Sequence, residues 1–107
     1  MAFKALFLAH APDADYKKHK SIIDTGKYRL LTVVVKNQDE AIKVSKSIYE
    51  KEKIDAIMLC PGFTHKNVAE IFEVLEGKVS VNVSRGDGPS NKISQVVLQR
   101  EFLPNHK

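Results

Sequence analysis

The sequence predicts an α/β domain. The expected form is a small three-layer sandwich, with a mostly parallel four-stranded sheet in strand order 2-1-3-4, of the flavodoxin or Rossmann type, plus a C-terminal tail strand. Three observations predict it. Apolar runs of strand length alternate with segments of helical periodicity. The alternation reads β-α-β-α-β-α-β, the pattern of a parallel sheet with right-handed crossovers. The chain has 107 residues, enough for one domain and no second module. That domain is expected to span 1–107, with its core in 1–85 and its tail in 90–103. The alternative, a ferredoxin-like α+β sheet, needs consecutive strands joined by hairpins, and every connection here reads as helical.

Ala2 to Ala9 is apolar apart from Lys4, as in a strand covered on both faces. Pro12 and Asp13 then open a short predicted helix, with Tyr16, His19, Ile22 and Ile23 at helical spacing and Gly26 as its stop. Tyr28 to Lys36, rich in Val and Leu, predicts a central strand. Asn37 followed by Glu40 has capping-box character. Ala41, Ile42, Ser45, Ile48 and Tyr49 continue as a helical stripe.

Ile54 to Cys60 predicts a third buried strand. Thr64 can cap the next helix, with Val68, Ile71, Phe72 and Leu75 inward and Gly77 as its stop. Val79, Val81 and Val83 alternate with polar residues, which places this strand near a sheet edge with one wetter face. Residues 84–91 read as a loop. Ile93 to Phe102 fits a strand or a helix, and Val96, Val97 and Leu98 in a row favour a strand, ended by Pro104. Such a tail can pair with its own sheet edge or with a second subunit, because open edges must be managed.

Composition excludes several classes. The chain is 43 % hydrophobic and 28 % charged, which is globular and not disordered. No apolar run approaches the ~20 residues that span a bilayer. No secretion signal is evident, and a single cysteine cannot form an internal disulfide, so a cytoplasmic protein is expected. The net charge of +4 lies in the first half, in Lys17, Lys18, Lys20, Lys27 and Arg29 and along the helix near Lys43, Lys46, Lys51 and Lys53. These lysines are interleaved with acidic residues, there are three arginines, and no nucleic-acid fingerprint is present. Solvated helix faces are the expected reading, with no nucleic-acid or membrane partner.

Ligands of open parallel sheets bind outside the carboxyl ends of the strands, near the switch point between strands one and three in this layout. The sequence places His10 and Asp13 after strand one, Cys60 to Phe63 after strand three, and Arg85 and Asp87 after strand four. Cys60 precedes a glycine-containing turn into a helix, where free N–H groups and the helix dipole favour a thiolate. His10 is its candidate proton partner, so these two are the expected catalytic pair. Gly62, Phe63, Thr64, Arg85 and Asp87 are the expected ligand-binding residues, with Arg85 holding an anionic group. Blander readings stand beside these: a buried, unreactive cysteine, and an Arg85 that merely pairs with Asp87. His65 is expected to face solvent.

No G-x-G-x-x-G or P-loop motif is present, and no C-x-x-C. Cys60 with Lys66 misses the Cys-x5-Arg phosphate loop by its lysine. One cysteine and four scattered histidines lack zinc spacing, so no metal or cofactor is expected.

Phe7 to Asp15, Lys18-His19-Lys20, Asp55 to Phe63 and Val83 to Gly88 together resemble a family of small prokaryotic proteins of similar length and no assigned function. The resemblance reaches to about Pro89 and implies a stand-alone α/β domain. It carries over no catalytic residue. Pro61 stands where a second glycine is expected, which stiffens the turn. The expected function is binding of a small anionic ligand, or a cysteine-dependent enzyme, at the strand ends. A non-catalytic regulatory module and an oligomeric assembly subunit are the alternatives, and a homo-oligomer is expected.

Overall fold

β1 (Phe3–His10) runs through the centre of the sheet in a computed structural model that describes residues 1–103. The other strands are β2 (Lys20–Asp24), β3 (Tyr28–Val35), β4 (Ala56–Leu59) and β5 (Ser80–Val83). The helices are α1 (Gln38–Glu52), α2 (His65–Val74) and α3 (Gly88–Phe102). The sheet order is β2-β3-β1-β4-β5. Strands β1, β3, β4 and β5 are parallel, and β2 pairs antiparallel with β3. The α/β class therefore holds, but the sheet is mixed and has five strands. The ferredoxin-like alternative does not fit the parallel pairing.

The added strand corrects the first helix expected after Pro12. Residues 11–19 form turns, and Lys20–Asp24 returns as the edge strand of a hairpin. Local turn chemistry overrides the helical spacing of Tyr16, His19, Ile22 and Ile23. Asp15 Oδ1 accepts from the Lys17 N–H, and Asp24 Oδ1 from the Gly26 N–H. Gly26, with φ of 99°, supplies the left-handed residue of the turn and is not a helix stop.

The loss of that helix leaves one face of the sheet without a layer. β3-α1-β4 and β4-α2-β5 both step in the same direction across the sheet. Right-handed crossovers then place α1 and α2 on one face, where they pack against each other. Only a helix between β1 and β3, stepping the opposite way, would have covered the second face. The expected three-layer sandwich is thus two layers in the described residues.

The core lies between the sheet and these two helices. Leu6, Leu8, Val33, Val35, Ile57 and Leu59 meet Ala41, Val44, Ile71 and Leu75. Each large apolar side chain so buried contributes roughly 1.5–3 kcal/mol. Both helices are capped as the sequence indicates. Asn37 accepts from the Glu40 N–H at 3.0 Å, and Glu40 reaches back to the Lys36 N–H at 2.8 Å. Thr64 and Asn67 form a capping box at α2.

The tail is the second correction. Ile93 to Phe102 is helical, not a strand. Pro89 in its first turn, after Asp87 at the N-cap, starts α3 despite the β-branched run. No residue of α3 is buried, and it packs against no other helix or strand. The expected stop at Pro104 lies outside the described residues.

Candidate functional site

The carboxyl ends of β1 and β4 lie side by side, because the strands pair in parallel from Ala5↔Ala56 to Leu8↔Leu59. The Cys60 N–H donates to the Leu8 carbonyl at 2.9 Å, which extends that pairing one residue beyond β4. Cys60 is half-buried there, and the Phe63 N–H closes the following turn on the Cys60 carbonyl at 3.3 Å. His10, the last residue of β1, turns its ring onto Phe63, with centroids 4.6 Å apart and planes tilted by 52°. Phe63 is itself buried in the core.

Gly62 joins the two candidate catalytic residues. A Cβ at Gly62 would sit 2.8 Å from His10 Cε1, 3.2 Å from His10 Nε2 and 3.8 Å from Cys60 Sγ. The imidazole and the thiol therefore converge on one bare stretch of backbone. A glycine is required there by space, not by its φ.

An open groove of about 930 Å³ runs above this point, lined by Ala9, His10, Cys60, Pro61 and Gly62 on one side and by α3 on the other. Val97, Leu98 and Phe102 make the α3 wall largely apolar. These wall residues escape a reading that makes the tail a strand. The signal that could have found them is Asp87-Gly88-Pro89 as a helix start, with Ile93 and Val97, then Leu98 and Phe102, four apart.

The remaining expected residues lie elsewhere. Arg85 is exposed, and its Nε and Nη2 both donate to Asp87 Oδ1, at 3.0 and 2.7 Å. Neither residue lines the groove. Thr64 Oγ1 accepts from the Asn67 N–H at 3.1 Å, and Asn67 Oδ1 accepts from the Thr64 N–H at 2.9 Å. The helix end expected to hold an anion thus already uses two of its donors in its own cap. His65 is exposed. Among the described residues no three of His, Cys, Asp and Glu cluster as a metal site requires, and no helix is long and apolar enough to cross a membrane.

Residues 3–98 match a family described as a family of unknown function, DUF6506. The chain belongs to the DUF6506 family. No curated protein and no solved structure matches it. The match takes in every strand and α3 as far as Leu98, so it covers the strand-end side of the groove and the first part of the α3 wall, but not Phe102.

A second concavity of this DUF6506 protein lies on the opposite side of the sheet, between the loop before β2 and α1. It has a volume of about 300 Å³. Tyr16, Val33, Val44 and Ile48 form its apolar floor, and Lys17, Lys20, Lys43 and Lys51 its rim. Among the described residues none of these four lysines is ion-paired.

Proposed function

We propose that the groove at the carboxyl ends of β1 and β4 binds a small molecule with an apolar body and one polar end. The polar end, a carboxylate or carbonyl, would face His10 and the Gly62 backbone, and the body would lie along α3. The observation that carries this reading is the convergence of His10 and Cys60 on Gly62 at the floor of the groove. Its volume falls within the range of small-molecule sites, and such sites are largely apolar with a few placed polar groups. The parallel run β3-β1-β4-β5 supports a flavodoxin-like or Rossmann-like reading of the ligand end, with the groove at the switch point. In a cysteine-dependent reaction, His10 would take the thiol proton and Cys60 would act as nucleophile. A single free thiol suits a cytoplasmic compartment.

Two measurements test the proposal. A thermal-shift screen with short- and medium-chain carboxylic acids should raise the melting temperature, and Phe102→Ala should abolish the rise. Absence of any stabilising acid would overturn the binding reading. Iodoacetamide should alkylate Cys60 faster in the wild type than in His10→Gln, which removes the proposed proton acceptor. An equal rate in the two proteins leaves binding without cysteine chemistry. Stabilisation by the acid that survives Cys60→Ala points the same way.

The lysine-rimmed cleft favours a second reading, in which the anionic ligand sits beside α1. Four unpaired ammonium groups over an apolar floor suit a compact anion with a flat or apolar part. Stabilisation by phosphate or a nucleotide that disappears in Lys43→Gln, and is unaffected by Phe102→Ala, would place the ligand there.

A further inference from the structure

The face of the sheet opposite α1 and α2 has no covering layer, yet it does not have the chemistry of a solvated surface. The register assigns its residues. Ala5 and Phe7 of β1, Leu30 of β3, and Ala56 and Met58 of β4 occupy its centre. Ser21, Thr32, Ser80 and Asn82 lie toward its edges. No strand residue on this face is charged, in a chain that is 28 % charged. The charged strand residues Lys4, Lys20, Asp24 and Arg29 all alternate to the opposite face. Met58 is 38 % exposed, Phe3 46 % and Ile23 60 %.

We propose that this uncharged face is a homodimer interface, on which a second copy of the chain lays its own identical face while α3 of each copy closes over the partner. Parallel strands are almost always covered on both faces, so this face calls for a cover. Its neutrality selects the occupant. A chain with net charge +4 repels its own copy, and an uncharged, self-complementary patch is where two copies meet at least electrostatic cost.

Size decides the part played by α3. Five strands about 4.8 Å apart and roughly 20 Å long give a face of about 480 Å². That is short of the ~800 Å² per partner of a standard stable interface. A 15-residue helix adds about 22 Å by 10 Å, which brings the total near the requirement. α3 is the element available for this: Val96, which does not line the groove, is 66 % exposed, and among the described residues the helix packs against no other helix or strand. Folding back on its own sheet would leave more than half the face bare, since one helix is about 10 Å wide against roughly 24 Å of sheet.

Sedimentation equilibrium of the full chain at micromolar concentration tests it. The expected mass is twice 12.0 kDa. Met58→Lys, which puts a charge at the centre of the face, should sediment as a monomer with unchanged far-ultraviolet circular dichroism. Should that variant unfold, Ile23→Lys on the more exposed part of the same face decides alone. Val96→Lys on α3 should weaken dimerisation at least tenfold. A wild-type monomer, which includes the case of α3 folded onto its own sheet, overturns the proposal. So does a Met58→Lys or Ile23→Lys protein that is folded and still dimeric.

Discussion

The His10 imidazole rests against the backbone of Gly62, with its Cε1 only 2.8 Å from where a Cβ at that residue would stand. A methyl group cannot enter this space unless the ring moves, and the ring is also packed against Phe63. Gly62→Ala should therefore displace His10 and cost about 1–3 kcal/mol, the usual range for overpacking. The measurement is a urea titration combined with the proton NMR shifts of His10. In the wild type these carry the ring current of Phe63, and in the variant they should move toward free histidine. Unchanged shifts would mean that the glycine does not position the imidazole.

At the amino end of the sheet, Arg29 joins Glu52 at the end of α1 to Asp24 of β2. Arg29 Nε and Nη2 donate to the two Glu52 oxygens at 3.0 and 3.2 Å, and Nη1 donates to Asp24 at 3.0 Å. The hydrogen bonds from Arg29 hold the Glu52 carboxyl below the ordinary carboxylate range, against the opposing effect of its desolvation. Asp24 is lowered too, first by the Gly26 N–H and then by Arg29. A carboxyl lowered in the folded state stabilises the fold above its unfolded value, about 4.3 for Glu. That stabilisation is lost as pH falls through the folded value. Glu52→Gln should thus lower the urea midpoint at neutral pH, and its curve should merge with that of the wild type in acid. A gap that stays constant down to about pH 2 would assign the loss to packing and not to charge.

Val33, Val35, Asn37 and Glu40 show why the parallel core was legible in the sequence. Each signal there is local and agrees with its neighbours: β-branched residues end in a capping residue, and an amphipathic stripe follows. His10, Cys60 and Gly62 were legible for a related reason, since a parallel sheet gathers the carboxyl ends of adjacent strands at one end. The hairpin was not legible, because Ile22 and Ile23 satisfy helical spacing as well as strand propensity. Only the hydrogen bonds of Asp15 and Asp24 decide between them. A helix at that place would have covered the second face of the sheet, so the bare face is illegible for the same reason. α3 was misread because Val96 and Val97 favour a strand that has no partner strand to pair with. With α3 went one wall of the groove.

Ser45 is fully buried in α1, and among the described residues its Oγ has no hydrogen-bond partner. A hydroxyl in that position has lost its water and gained nothing in exchange. Ser45→Ala removes the unsatisfied group and puts the best helix former in its place. The variant should be more stable than the wild type by about 1 kcal/mol in urea unfolding, with an unchanged dependence on denaturant. A destabilised variant would show that the hydroxyl is held by a partner, such as a buried water.

Thr64 separates a structural role from a ligand-binding one two residues beyond Gly62. Its hydroxyl accepts from the Asn67 N–H, and its own N–H is taken by the Asn67 side chain, so both polar groups serve the cap of α2. Replacing such a cap by alanine typically costs about 1 kcal/mol. Thr64→Ala should therefore lower stability by that amount, while stabilisation by carboxylic acids keeps its size. Asn67→Ala, which removes the reciprocal half of the box, should reproduce the stability loss. If Thr64→Ala instead abolished ligand stabilisation while Asn67→Ala left it intact, the threonine would contact the ligand directly. The cap would then be secondary to that contact.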